Sequence, residues 1–240
     1  MREERRKLVQ IVLVVGIVAA LLRLGWIYHE RRQAETSVQP RQEGRINPDY
    51  YVVPKKLHAY DLTSAREITK QPVWVKEGYR YYYYPYDPAR KRAELDHNAG
   101  LLGPLEKIEF TAVETQATPG DPGTKQMLAV FRKEGKEYAV PIGAEQRGNF
   151  QINIDEMFFL QAPRELYKHW PADVWSAIQK HEIKPGMNEI QASFAVGMGV
   201  PEPGQGAEKT VNYPNGGNPV QVKYRDGRAV EIESIKADHT

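Results

Sequence analysis

"IKPGMNEIQASFAVGMGVP" spans residues 183–201 and decides how the last third of the chain is read. Met187, Ile190 and Phe194 recur at helical spacing, which predicts a short helix over Met187–Val196 with that face buried. Gly186 stands just before it. Gly197 can end it in a left-handed conformation closed to most side chains. Upstream, "PADVWSAIQKHEI" (171–183) begins with a proline suited to a first helical turn. Val174, Ala177, Ile178 and His181 fall on one face of that helix, with Trp175 beside it. Downstream, "EKTVNYP" (208–214), "PVQVKYRDG" (219–227) and "RAVEIESI" (228–235) read as three strands. The turns "NGGN" and Asp226-Gly227 join them. In the middle strand Val220, Val222 and Tyr224 line one face, while Gln221, Lys223 and Arg225 face water. Residues 161–240 therefore order as helix, helix, strand, strand, strand.

Those residues resemble the BamE/SmpA-type envelope domain. The features that carry the likeness are Gly186-Met187 opening the second helix, Gly199-Val200-Pro201 after it, Tyr213 in the first strand, and Val222 and Tyr224 before Gly227. The likeness covers about residues 166–236. It implies two helices packed on a three-stranded antiparallel sheet, in a non-enzymatic interaction module of the bacterial envelope. The family's lipid-anchoring cysteine has no counterpart here, and a long β-rich region precedes the module.

Residues 49–160 form that β-rich region. "KIEFTAVET" (107–115) alternates, with Ile108, Phe110 and Ala112 facing one way. "QMLAVFRKEGKEYAVPI" (126–142) reads as a hairpin turning at Gly135. Leu128 and Val130 are apolar as well as Met127, Ala129 and Phe131, so this strand is expected to be covered on both faces. Earlier candidate strands are "YYVVP", "KLHAYDL", "PVWVKEG" and "YRYYYYPY". "DPARKRAELDHNAGLLGP" (87–104) and "QATPGDPGTK" (116–125) read as loops. The second is not a phosphate loop, because Gly123-Thr124-Lys125 lacks the spacing and no strand runs straight into a helix there. A small barrel or sandwich is expected.

Residues 8–28, "LVQIVLVVGIVAALLRLGWIY", are long and apolar enough to predict a transmembrane anchor. Arg2, Arg5, Arg6 and Lys7 in the stub 1–7 favour a cytoplasmic N-terminus. Trp26 and Tyr28 suit the far interface. The rival is a signal peptide cleaved after Val18-Ala19-Ala20. Residues 29–48 are polar and aperiodic and read as a tether. The expected class is thus α+β: an N-terminal transmembrane helix, a β-rich small barrel or sandwich, then the ααβββ module. The expected place is the inner membrane, single-pass, with the bulk of the chain periplasmic or otherwise extracytoplasmic.

Charge supports that division. Residues 1–48 carry nine Lys+Arg against five Asp+Glu, a net +4, and the remainder 24 against 26, a net −2. The folded part has no footprint for nucleic acid. The chain has no cysteine, which excludes disulfides, thiolate nucleophiles and sulfur-ligated metals. "HEIKP" at His181 begins like a zinc-protease motif, but Pro185 stands where the second histidine belongs. His58, His97 and His169 show no ligand spacing. The serines have no elbow or triad context, and Asp155-Glu156 reads as a helix cap and first-turn acid. No cofactor, metal or catalytic residue is expected.

"GYRYYYYPYD" (78–87) is the remaining oddity. As one strand it places Tyr79, Tyr81 and Tyr83 on one face, and Arg80, Tyr82 and Tyr84 on the other. Two rings with a guanidinium is a composition that interface centres favour. Arg80, Tyr82 and Tyr84 are the candidate partner-binding residues; the alternative is that the tyrosines are structural, in a strand covered on both faces. The expected function is non-catalytic protein–protein binding, as an assembly factor or accessory subunit of a membrane complex, with envelope or inner-membrane proteins as partners. The alternatives are a cell-wall glycan or peptide binding module and, further off, an envelope hydrolase.

Overall fold

A computed structural model describes residues 23, 25, 26, 47–203 and 208–235. Contacts divide the chain into two units, Met1–Tyr50 and Tyr51–Thr240. In the first, Arg23, Gly25 and Trp26 are helical. Every described strand lies in the second.

The described residues form fourteen strands: β1 Val73–Val75, β2 Tyr82–Asp87, β3 Arg92–Ala93, β4 Gly100–Leu101, β5 Lys107–Ile108, β6 Phe110–Thr118, β7 Asp121–Lys133, β8 Lys136–Gln146, β9 Asn149–Ile152, β10 Phe158–Phe159, β11 Val200–Pro201, β12 Glu208–Tyr213, β13 Val220–Arg225 and β14 Arg228–Ser234. The second unit also has five short α-helices: α1 Leu62–Ala65, ahead of β1, and then α2 Ile154–Met157, α3 Pro163–Leu166, α4 Ala172–Gln179 and α5 Glu189–Val196. The expected class is corrected by this. Among the described residues the structure is mostly β-sheet, because alternating and β-branched runs dominate and the helices of the second unit are only four to eight residues long. The transmembrane helix and single-pass anchoring are corrected too: among the described residues no helix is long and apolar enough to cross a membrane. Segment 8–28, where that helix was expected, lies outside the described residues except for Arg23, Gly25 and Trp26, as do stub 1–7 and most of tether 29–48.

Strands β6, β7 and β8 form the long antiparallel centre of a bent, nearly closed barrel-like sheet. Strand β8 pairs with β2 near its start and with β9 near its end. Strand β5 leads into β6 with one residue between them, and it pairs with β1, which pairs with β10. Met127, Ala129 and Phe131 of β7 enter the barrel core beside Val140, Ile142 and Phe110. Leu128 and Val130, one residue out of phase, enter a small outer core under Tyr84, Tyr86 and Leu95. Both faces of β7 are buried from Met127 to Phe131. The stretch 116–125, expected as a loop, is instead the tip of the β6–β7 hairpin: Thr118 pairs with Asp121 across Pro119-Gly120, where Gly120 has φ 78°. No strand precedes Val73 in this unit. The N–H groups of Leu57 and His58 donate to the Asp155 carboxylate at 2.6 and 2.8 Å, so that segment is held by a side chain and not by a ladder.

The C-terminal part packs α4 and α5 on an antiparallel sheet ordered β11-β12-β13-β14. Helix α5 starts at Glu189, two residues later than expected. Asn188 caps it by accepting the Gln191 N–H at 2.9 Å, and the Gln191 side chain accepts the Asn188 N–H at 2.9 Å. Gly186 therefore lies outside the helix, and its work is different. Its N–H donates to the Ala229 carbonyl, and the Ala229 N–H donates to the Met187 carbonyl, each at 2.8 Å. This short bridge satisfies part of the outer edge of β14. Pro201 blunts the opposite edge. Between sheet and helices Tyr213 and Tyr224 share a hydroxyl hydrogen bond of 2.7 Å. Burial pushes the Tyr213 phenol up to about 12 and raises that of Tyr224 as well.

The two cores meet along β1 and β10. Val73, Val75 and Phe158 point into the barrel; Trp74 and Phe159 point the other way, into the helical core. Phe194 of α5 packs on Phe159, Tyr167 and Trp170 with ring centroids 5.1 to 5.6 Å apart.

Candidate partner-binding surface

The structure separates the candidate residues Arg80, Tyr82 and Tyr84. Strand β2 begins only at Tyr82, and Tyr79 sits ahead of it with φ 59°. Alternation across 79–84 therefore fails at its start. Arg80 is exposed, and its guanidinium donates to Glu77 at 2.7 Å. Tyr82 is 49% exposed. Tyr84 points to the same side of the strand but closes over the outer core with Tyr86. Tyr81 and Tyr83 pack on the barrel core. The Tyr83 ring meets Tyr138 and Phe131 edge-on at 5.0 and 5.8 Å, under the Lys133 ammonium. Burial and the Glu77 charge push the Tyr81 hydroxyl up to about 12. Of the expected patch, Tyr82 is left as a surface ring beside an already paired arginine.

A larger concave surface lies where the two cores meet. It is a groove of about 470 Å³, in the range of small-ligand pockets. Its apolar lining comes from Trp74, Tyr79, Pro104, Leu105, Trp175 and Ile178. Each ring is set by the fold. Trp74 projects from the inner strand β1 toward the helical core. Trp175 is buried and lies 5.3 Å from the Trp170 ring. Tyr79 is turned into place by its left-handed backbone and by two glycines: Cβ atoms on Gly197 and Gly216 would come within 3.0 and 2.8 Å of its ring.

The polar rim is Glu106, Arg164, Gln179 and His181. Glu106 is already engaged. It accepts from the Lys133 ammonium at 2.7 Å and from the Gly103 N–H at 2.8 Å. His181 follows α4 with φ 56°, and its Nδ1 donates to the Ala195 carbonyl at 3.0 Å. Its expected role at a helix end therefore comes with a tie to α5. Arg164, in the first turn of α3, is exposed and makes no ion pair with any described residue. Glu182 lies beyond the groove. Among the described residues no three His, Asp or Glu gather as a metal set. Asp155 is a first-turn acid of α2, but Asn153 holds the cap position.

No sequence motif marks this groove. Its lining comes from five separated stretches, and the sequence marks Tyr79 only as a strand residue and Trp175, Ile178 and His181 only as residues of one helix, with nothing to join them into one surface. No family model matches the chain, nor does any curated protein or solved structure.

Proposed function

We propose that the chain works by binding another protein, without catalysis, as an assembly factor or accessory subunit of a larger complex. The groove between the two cores is the receiving surface. The observation that carries this reading is its lining: three aromatic rings held in fixed orientation, with aliphatic and proline surface between them and polar groups confined to the rim. That is the anatomy of an interface centre, where rigid rings lose little entropy on binding. The likeness of residues 166–236 to BamE/SmpA-type domains supports a partner from the cell envelope.

A photo-crosslinking amino acid tests the reading. Placed at Gln179, on the rim, it should give a protease-sensitive adduct in cells. Placed at Arg225, on the polar sheet face, it should give none. Equal adducts at both positions, or none at Gln179, reject the groove as the partner surface. Rings with amide and imidazole groups at their rim also suit a cell-wall glycan. In that case the Gln179 adduct would resist protease and yield to a glycan hydrolase.

A further inference from the structure

The backbone around the groove narrows what can bind there. The nearest strand, β1, is paired on both sides, by β10 and by β5. In the loop before β5, the Leu105 N–H donates to the Val75 carbonyl at 3.1 Å and the Glu106 N–H to Gly103 at 3.3 Å. Pro104 and Pro163 have no N–H to give. The groove therefore presents no strand edge. A ligand entering as a β-strand would bury its own amides without partners, which disfavours it. Polyproline-II chain is different. It has no internal hydrogen bonds, keeps its amides and carbonyls in water, and offers pyrrolidine rings to aromatic grooves.

Charge narrows it further. Glu106 is neutralised by Lys133, while Arg164 stands open at the rim. Arg164 lines the groove and makes no ion pair with a described residue, while Glu165 beside it on α3 lies outside the lining, so an acidic group on the ligand complements Arg164.

Resting on the groove reading above, we infer that the occupant is a proline-containing segment of the partner, in polyproline-II conformation and carrying an acidic residue. Trp74, Tyr79 and Trp175 bear the apolar residues, and Arg164 receives the carboxylate.

Synthetic peptides and the intrinsic tryptophan fluorescence of the full chain test this. The probe is acetyl-Pro-Pro-Leu-Pro-Pro-Asp-amide. Controls end in Asn or Lys, or replace every proline with glycine or alanine. The expected result is a saturable fluorescence change that is lost when glycine and alanine replace proline. The Asn-ended peptide should bind about two- to fivefold more weakly, the scale of an exposed ion pair. Arg164→Ala should abolish the difference between the Asp and Asn probes, and Arg164→Lys should restore part of it. Trp74→Phe should raise the concentration of the Asp-ended probe needed for half-saturation. Equal binding of the Lys-ended probe overturns the acidic residue. Equal binding of the glycine–alanine probe overturns the polyproline-II conformation. If no probe saturates while a protease-sensitive Gln179 adduct forms, this inference fails and the groove reading stands. If chitotriose saturates the signal and the peptides do not, the occupant is a glycan and the inference is wrong.

Discussion

The carbonyl oxygen of Gly78 lies 2.6 Å from the point where a Cβ on Gly197 would sit. The barrel's corner at Gly78-Tyr79 thus presses into the helical part at the residue that ends α5. Gly197 itself has φ 85° and ψ −176°, a region essentially confined to glycine. Two separate demands, one of conformation and one of close approach, fall on one position.

Gly197→Ala should therefore cost about 2–4 kcal/mol, combining backbone strain with the displaced Gly78 carbonyl. Gly148→Ala is the control. It has φ 83° and nothing within 4 Å of its Cβ position, so it should cost about 1 kcal/mol. Urea midpoints of the full chain give both values. Equal midpoints would mean that the corner moves aside freely.

Phe194→Ala should cost about 3–5 kcal/mol, because it empties the space among Phe159, Tyr167 and Trp170. Glu189→Ala removes a half-exposed ion pair with Lys209 and should cost no more than about 1 kcal/mol. A similar loss for both would refute the assigned core face of α5.

Tyr82 and Tyr84, on one side of β2, should part company. Tyr82→Ser should leave the melting temperature within a degree or two of the parent. Tyr84→Ser should lower it by several degrees, since it uncovers Leu128 and Val130. If Tyr82→Ser proves the more damaging, the outer core is misassigned.

Alkaline stability follows from the Tyr213–Tyr224 pair. The Tyr213 phenol, ordinarily at 10.0, rises to about 12 in the fold. A raised folded value means that the native state holds its proton more tightly. That stabilisation is complete below pH 10 and is lost as pH rises toward 12. Melting temperature should stay level from pH 7 to 9 and fall between 10 and 12. In the Tyr213→Phe, Tyr224→Phe double variant the fall should be shallower, because neither ring then titrates. An unchanged slope would assign the alkaline loss to other groups.

The sequence made the regular strands plain and the junction obscure. Strands β6, β7, β8 and β12 to β14 are legible because one or both faces are buried and the period-2 pattern records it. Helix α5 is legible from Met187, Ile190 and Phe194, although its first turn begins at a cap read as helix interior. Position 79 misled because tyrosine resembles a strand residue, and only the glycines at 197 and 216, far along the chain, give its ring the room to turn. Gly186 misled because a pairing with Ala229, more than forty residues away, leaves no local signature. The groove was invisible for the same reason: it is a property of the junction and belongs to no single stretch.

Phe158 and Phe159 are neighbours in the chain that serve different cores, and Trp74 stands between two valines in the same way. A cut made between the barrel and the helices would strand one of each pair in water. The two halves should therefore melt in a single calorimetric transition, and neither should be recovered as a folded fragment. Inheritance of the C-terminal part by another protein would have to carry a piece of the barrel wall with it.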